Sequence, residues 1–505
     1  MASGAVATRV RGLTERRTVL VDAAVLAVAA LLLRLPAFLS SRDLSYDDGF
    51  FGLVAVEMRH GSLPYRDFFM PQSPLHPVLL FGADLLGLRT PNAPRLLPVL
   101  AGIVVTIATY AAARQLTSRY GAILAALLVT SSGSVLWVTA GIAADGGAIA
   151  LSVVALALAL RYSSRPTRGW AVATGLCAGA AVATKALAGP VVLPVGLLLL
   201  SAPMVAVASS GSCGGGRQGR RLSRKRGRDL VAAGIALLVV PVVTTLAWGP
   251  NNVWEQSIQY NRGADRLTSY WGAFTKVART LVERDLLLLI VAGLAVVVAV
   301  VAHARSAPAT DAAPVERPPF VFRPVTILAA WLVAQLAVLI VEPAMWRPHV
   351  AHLVVPIALL AVLRPPPLVP VLLAAVLVLP WYYDHLQPML RPGGFDRVEA
   401  TAVRALERLP DGALVISDNP GLVWRSGHRI PAEYADSSVK RIEAGQITAP
   451  KLLAAARDRD VCAVLVWTDR YRDLELGPRL EREGFTRTSA AGAPYELYER
   501  SGCRA

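Results

Sequence analysis

Residues 286–302 read LLLLIVAGLAVVVAVVA and are followed directly by His303 and Arg305. An unbroken apolar run that ends in basic residues is the mark of a helix crossing a bilayer. Working outward from this span, taken as 284–304, the same pattern recurs. Further spans are expected at 19–39, 94–113, 120–140, 145–161, 170–186, 188–206, 230–248, 324–341, 349–364 and 367–383, about eleven in all. Composition agrees, with 54% of the 505 residues hydrophobic and 17% charged, against about a quarter charged in ordinary globular domains. The expected fold class is an α-helical polytopic membrane protein over 19–385, with a small C-terminal α/β domain at 396–505.

The formal net charge of +16 would suggest nucleic acid as partner in a soluble protein. Here the basic residues cluster between apolar runs, which is how membrane proteins set orientation; nucleic acid is not an expected partner. With the basic segment 1–18 in the cytoplasm, Arg114, Arg119, Arg161, Arg165 and Arg168 fall inside. So do the basic loop 207–229, with its dense run from Arg217 to Arg228, and His303, Arg305, Arg317, Arg323 and Arg364. The segment 74–88 is too short to span: about 14 helical residues reach about 21 Å, against a hydrocarbon core of about 30 Å. Laid in the outer interface, it keeps every later basic loop inside. The odd helix count then puts the tail outside a plasma membrane. The first apolar run lacks a small-residue cleavage site and reads as a retained helix rather than a signal peptide. Four cysteines are too few and scattered for a metal or disulfide framework. Cys177 lies in an apolar run and Cys213 in the linker-like Ser/Gly stretch near 209–216. Cys462 and Cys503 share the tail and can pair if it is outside.

With this topology the polar residues gather on one face. Ser45 with Asp48 three residues on is a capping-box pattern, so a short helix is expected to about Arg59, with Asp47 and Asp48 complementing its dipole. Arg66 follows in Pro64-Tyr65-Arg66-Asp67, and His76 in Gln72-Ser73-Pro74-Leu75-His76. Asp145 starts the fourth span, as an N-cap or as a functional acid. Lys185 lies in an apolar hairpin beside Gly189-Pro190, where an ammonium costs roughly 2.5–3.5 kcal/mol at mid-membrane; it either snorkels or meets an anionic ligand. Arg347 and His349 close the set in Trp346-Arg347-Pro348-His349. These are acids able to act as a base and cations able to hold a phosphate. No His/Cys cluster demands a metal, and no cofactor is required, though a divalent ion shared by Asp48 and Asp145 is compatible. In the tail, 413–417 (ALVIS), 462–467 (CAVLVW) and 495–498 read as strands, and 400–408 and 450–459 as helices. Asp418, Asn419 and Trp424 follow a strand end, where ligands of α/β folds bind.

Tyr46-Asp47-Asp48-Gly49-Phe50-Phe51, Gly61-Ser62-Leu63-Pro64-Tyr65-Arg66-Asp67-Phe68 and Ser73-Pro74-Leu75 resemble the first outer loop of GT-C-fold glycosyltransferases. The nearest group is glycosyltransferase family 39, with its protein O-mannosyltransferases, lipid A aminoarabinose transferases and actinobacterial members. The stretch 95–132, Thr184-Lys185-Ala-Leu-Ala-Gly-Pro190 and Arg347-Pro-His349 with Pro356 are similar too, so the likeness covers roughly 19–385. It implies that the loop 40–93 is catalytic and that the donor is a polyprenyl-phosphate-linked sugar, hexose or pentose. The acceptor would be a cell-envelope glycan, lipid or protein, and the displacement inverting. Asp47 would be the base, Asp48 and Asp145 would support it, and Lys185, Arg347 and His349 would hold the donor phosphate. The chain departs from the family twice. Asp47-Asp48 stands for the usual Asp-Glu, and Gln72-Ser73-Pro74-Leu75 lacks the usual Lys, a place that Arg66 or His76 would fill. The family's tail suggests acceptor docking, separable from donor binding. The alternative function is a transporter or lipid flippase, which internal repeats and mid-membrane helix breaks would mark; no convincing repeat is present.

Overall fold

The structure, a computed structural model, describes residues 2–201, 215–263, 266–305, 322–490 and 492–503, with the backbone alone over 2–14 and 215–225. Cys213, Arg317, the end of the span 188–206 and most of the Ser/Gly stretch lie outside the described residues. Nine helices lead up to that point: α1 (Ala2–Leu39), α2 (Tyr46–Arg59), α3 (His76–Leu86), α4 (Leu96–Ala113), α5 (Arg119–Ser131), α6 (Gly133–Ala140), α7 (Ala144–Ser164), α8 (Arg168–Thr184) and α9 (Val192–Ser201). Four more long apolar helices follow, Gly215–Trp248, Tyr270–Arg305, Pro324–Val341 and Leu368–Leu390, with the shorter Ala351–Ala361 between the last two. Every expected apolar segment is helical over most of its described residues, and the chain is a multi-pass membrane protein. Among the described residues seven helices are long and apolar enough to cross a bilayer, or eight if α5 and α6, bent by 58°, form one span. The segments expected at 170–186 and 349–364 fall below that length, and α3 spans only 11 residues.

One expectation is corrected. The basic run at 217–228 is not a loop, because the helix Gly215–Trp248 already includes it. The span expected at 284–304 is preceded by a helical stretch from Tyr270, and the two meet at a kink at Asp285, where the expected start lies. Asp285 leaves helical geometry there (φ −133°, ψ 28°). Its carboxylate accepts from the Ser132 and Ser134 hydroxyls, both at 2.5 Å, where α5 breaks into α6. A carboxylate within a bundle is thus satisfied by the donors that a helix break exposes. Small residues set the packing elsewhere. A Cβ on Gly175 or Gly179 of α8 would lie 2.1 Å from the carbonyl of Ala233 or Leu237, a close helix approach of the small-xxx-small kind.

The tail holds a four-stranded sheet in the order β1-β2-β4-β3, from Leu414–Ser417, Val461–Val466, Phe485–Arg487 and Glu496–Arg500. β1 and β2 are parallel, and β4 runs antiparallel to β2 and β3. The expected strands are β1, β2 and β4; β3 is short and has one buried residue of three. Cys462 and Cys503 are disulfide-bonded. The tail does not stand apart from the bundle. Phe50, Phe51, Leu53 and Val54 of α2 share one apolar core with Val415, Leu422 and Trp424. Glu57 of α2 pairs with Arg429, and Arg42 with Glu399. At the strand ends Asp418 accepts from the Trp467 and Thr468 amides, Asn419 caps the helix Pro420–Arg425, and Trp424 packs on Gly52. Of these three residues, expected to take a ligand, Trp424 is covered by α2, and Asp418 and Asn419 are bonded within the tail.

Candidate active site

Ser45 caps α2, its hydroxyl accepting from the Asp48 amide. The Asp48 side chain does not complete a capping box. It is fully buried, paired with Arg95, and accepts from the amides of Leu44 (3.0 Å) and Ile142 (2.9 Å). Arg95 is equally buried and also donates to the carbonyls of Ala37, Ser40 and Arg42. Asp48 therefore ties the start of α2 to α4 and to the α6–α7 junction. Asp47 differs. Its carboxylate makes no hydrogen bond among the described residues, and burial raises its pKa. Lys185 and His349 oppose that rise, and Asp145 and Asp436 add to it. These four groups from four elements define its surroundings.

Lys185 occupies an extended position (φ −155°, ψ 125°) between α8 and a 3₁₀ turn over Ala186–Val191. The break lets its ammonium sit at the carbonyl end of α8, where a cation is favoured. The outer loop is sewn to this break, with the Ser73 hydroxyl accepting from the Ala186 amide and the Leu75 amide donating to the Ala183 carbonyl. Lys185 Nζ donates to Asp145 Oδ2 at 2.6 Å and lies 3.0 Å from His349 Nε2. Asp145 is not the N-cap of α7, which is Ala143. Its other oxygen lies 3.2 Å from His352 Nε2, and His349 Nδ1 lies 2.8 Å from Glu342. The result is a continuous chain, His352–Asp145–Lys185–His349–Glu342, buried except at Glu342 and drawn from three separated stretches of sequence.

The remaining expected residues divide. Arg347 pairs with Glu283, which also pairs with Arg279. His76 is fully buried edge-on against Phe51, with neither ring nitrogen hydrogen-bonded, and burial pushes its pKa down to about 3. It is neutral and lies in the field of Lys185 and Asp145. Arg66 is exposed and joins none of these bonds. Among the described residues no group of three or more His, Cys, Asp or Glu gathers to hold a metal. Sequence reasoning missed Arg95, Glu283, Arg284 and Asp436. Arg284 lies over the Trp137 ring at 4.2 Å, in the field of Arg347, with Nη1 buried and unpartnered; Arg347 Nε is likewise unpartnered. The signal for these two was three successive charges, Glu283-Arg284-Asp285, against an apolar run.

Residues 88–256 match the family model described as dolichyl-phosphate-mannose-protein mannosyltransferase. No curated protein matches the sequence. The structure superimposes on ArnT from Cupriavidus metallidurans bound to undecaprenyl phosphate with a TM-score of 0.63 at 15% identity, over 95% of this chain and 99% of that one. On the archaeal oligosaccharyltransferase AglB from Archaeoglobus fulgidus, in complex with an inhibitory peptide and a dolichol-phosphate, the TM-score is 0.53 at 12% identity, over 97% of this chain and 75% of that one. The chain has the GT-C fold. The family match and the fold together support a membrane glycosyltransferase of the GT-C type.

Proposed function

We propose that this protein transfers a hexose or pentose from a polyprenyl-phosphate donor to a cell-envelope glycan, lipid or protein on the outer face of the plasma membrane, with inversion. The observation that carries the reading is the unpaired Asp47 carboxylate beside the Lys185–His349–Asp145 chain. Asp47 takes the proton of the acceptor hydroxyl while that oxygen bonds to the anomeric carbon. The bond from that carbon to the phosphate oxygen breaks, and polyprenyl phosphate leaves with both electrons. Lys185, Arg347 and His349 meet the charge that develops on it. Arg284 joins them, since it and Arg347 each hold a buried N–H without a partner. The phosphate then competes with Asp145 for Lys185 and with Glu283 for Arg347. Asp145 orients Lys185, and His76 is a neutral wall of the same site. The basic loops inside, and the tail disulfide, which belongs in an oxidising compartment, favour the outward orientation. Incubating membranes that carry the protein with radiolabelled polyprenyl-phosphate mannose and arabinose in turn tests the reading. Label should leave one of the two lipids for a larger acceptor, in an amount that depends on Asp47. If neither lipid loses label while the protein is folded, the donor class is wrong.

A further inference from the structure

The residue before the proposed base is gripped by the tail. The Tyr46 hydroxyl donates to Asp436 Oδ1 at 2.9 Å and lies 3.5 Å from the Ser437 hydroxyl. The Arg470 guanidinium sits over the Tyr46 ring, 4.6 Å from its centre. Both holding groups are themselves fixed. Asp436 is 2% exposed and accepts from the Ser438 amide, and its own carbonyl accepts from Arg441 at 2.8 Å. Arg470 donates to the carbonyls of Ser437 and Asp418, and Asp418 is held at the end of β2 by the Trp467 and Thr468 amides. A chain of fixed hydrogen bonds thus runs from the sheet of the tail to Tyr46. The carboxylate of Asp47, the next residue, has no hydrogen bond among the described residues to set its place.

We propose that Asp436 is a positioning residue: through Tyr46 it sets where the Asp47 carboxylate stands, so that the tail completes the active site it covers. The inference rests on the reading of Asp47 as the base. Fixing a reacting group matters because a displacement of about 1 Å can cost about a hundredfold in rate. Asp436 also adds negative charge near Asp47, alongside Asp145 and against Lys185 and His349.

The test uses the full-length protein in membranes and the polyprenyl-phosphate sugar that the labelled assay selects. Tyr46→Phe removes one hydroxyl, and Asp436→Asn keeps the size of the side chain. Each should lower kcat about 10- to 100-fold and leave KM for the donor unchanged. Together they should cost no more than the worse of the two, because they break one contact. Asp436→Asn, but not Tyr46→Phe, should also move the acidic limb of the pH–rate profile to lower pH, since it removes a negative charge near the base. In an Asp47→Asn background neither change should reduce the residual rate further. Full rates in both single variants, with Asp47→Asn inactive, would overturn the positioning role and leave the base standing. A wild-type rate in Asp47→Asn would remove the base itself. A further loss from Tyr46→Phe in the Asp47→Asn background would make the contact structural only and overturn the proposal.

Discussion

Asp47 and Asp48 are chain neighbours with opposite surroundings. Asp48 is saturated by Arg95 and two amides, both partners fully buried. Replacing it with Asn leaves the Arg95 guanidinium without a counter-charge, and breaking a buried pair costs about 3–5 kcal/mol. Asp48→Asn should therefore unfold at markedly lower temperature than wild type, whatever its rate; an unchanged Tm would mean that Arg95 is satisfied by its carbonyl partners alone. Asp47→Asn makes the contrary forecast. It breaks no hydrogen bond within the protein, so Tm should hold. Transfer should fall at least about a hundredfold, the lower end of a general-base contribution. The pH profile carries the same signature. Burial, with Asp145 and Asp436, raises the Asp47 carboxyl above the ordinary value of about 3.9. The base works only when deprotonated. Activity should thus fall with decreasing pH around a midpoint above that value, and Asp47→Asn should show no such limb. A midpoint at or below the ordinary value would argue that the titrating group is another.

Elements position these residues by breaking as much as by forming. Lys185 reaches the site because α8 stops one residue before it, and Asp145 because α7 begins one residue before it. α2 is aimed by Gly49 and Gly52, which let Gly421 and Trp424 of the tail lie against it. A Cβ on Gly52 would stand 2.3 Å from the Trp424 ring, whereas one on Gly82 of α3 would meet nothing within 4 Å. Gly52→Ala should loosen the tail, seen as faster protease cleavage within 396–505 and reduced transfer, while Gly82→Ala should change neither; equal behaviour of the two would mean that Trp424 moves aside without consequence. What the chain discloses about its elements follows from the same physics. Spans such as 94–113 and 324–341 were legible because apolar length is a property of a single run. The break at Ser132 was not, since the carboxylate that satisfies it belongs to Asp285, 153 residues away. Lys185, Asp145 and His349 were legible as charges in apolar surroundings that need a reason. Asp436 gave no such signal, because an acid in a polar loop of a soluble-looking domain is ordinary until the fold sets it against Tyr46. Arg284 stands at the kink where the expected span starts, and only the fold sets it over the Trp137 ring.

At the scale of the molecule, the tail and the first outer loop must lie on one side of the membrane, because they share one core and are joined by the Glu57–Arg429 and Arg42–Glu399 pairs. This removes the separability expected of the tail. Deleting 396–505 would strip the buried face of Phe50, Phe51, Leu53 and Val54 and release Tyr46, so the remainder should lose transfer as well as stability. The shared side also makes orientation a single question for the base and the tail. In the proposed orientation the basic segments 1–18 and Arg217 to Arg228 lie inside. The Cys462–Cys503 bond belongs in an oxidising compartment, which favours the same orientation by an argument independent of charge. A reporter active only outside the cytoplasm should therefore work when fused after Ala505 and be silent when fused at Gly216. A membrane-impermeant thiol reagent added to intact cells should label Cys462 or Cys503 only after reduction. If the reporter instead works at Gly216 and fails after Ala505, Asp47 faces the cytoplasm, and a lipid-borne donor on the outer leaflet cannot reach it.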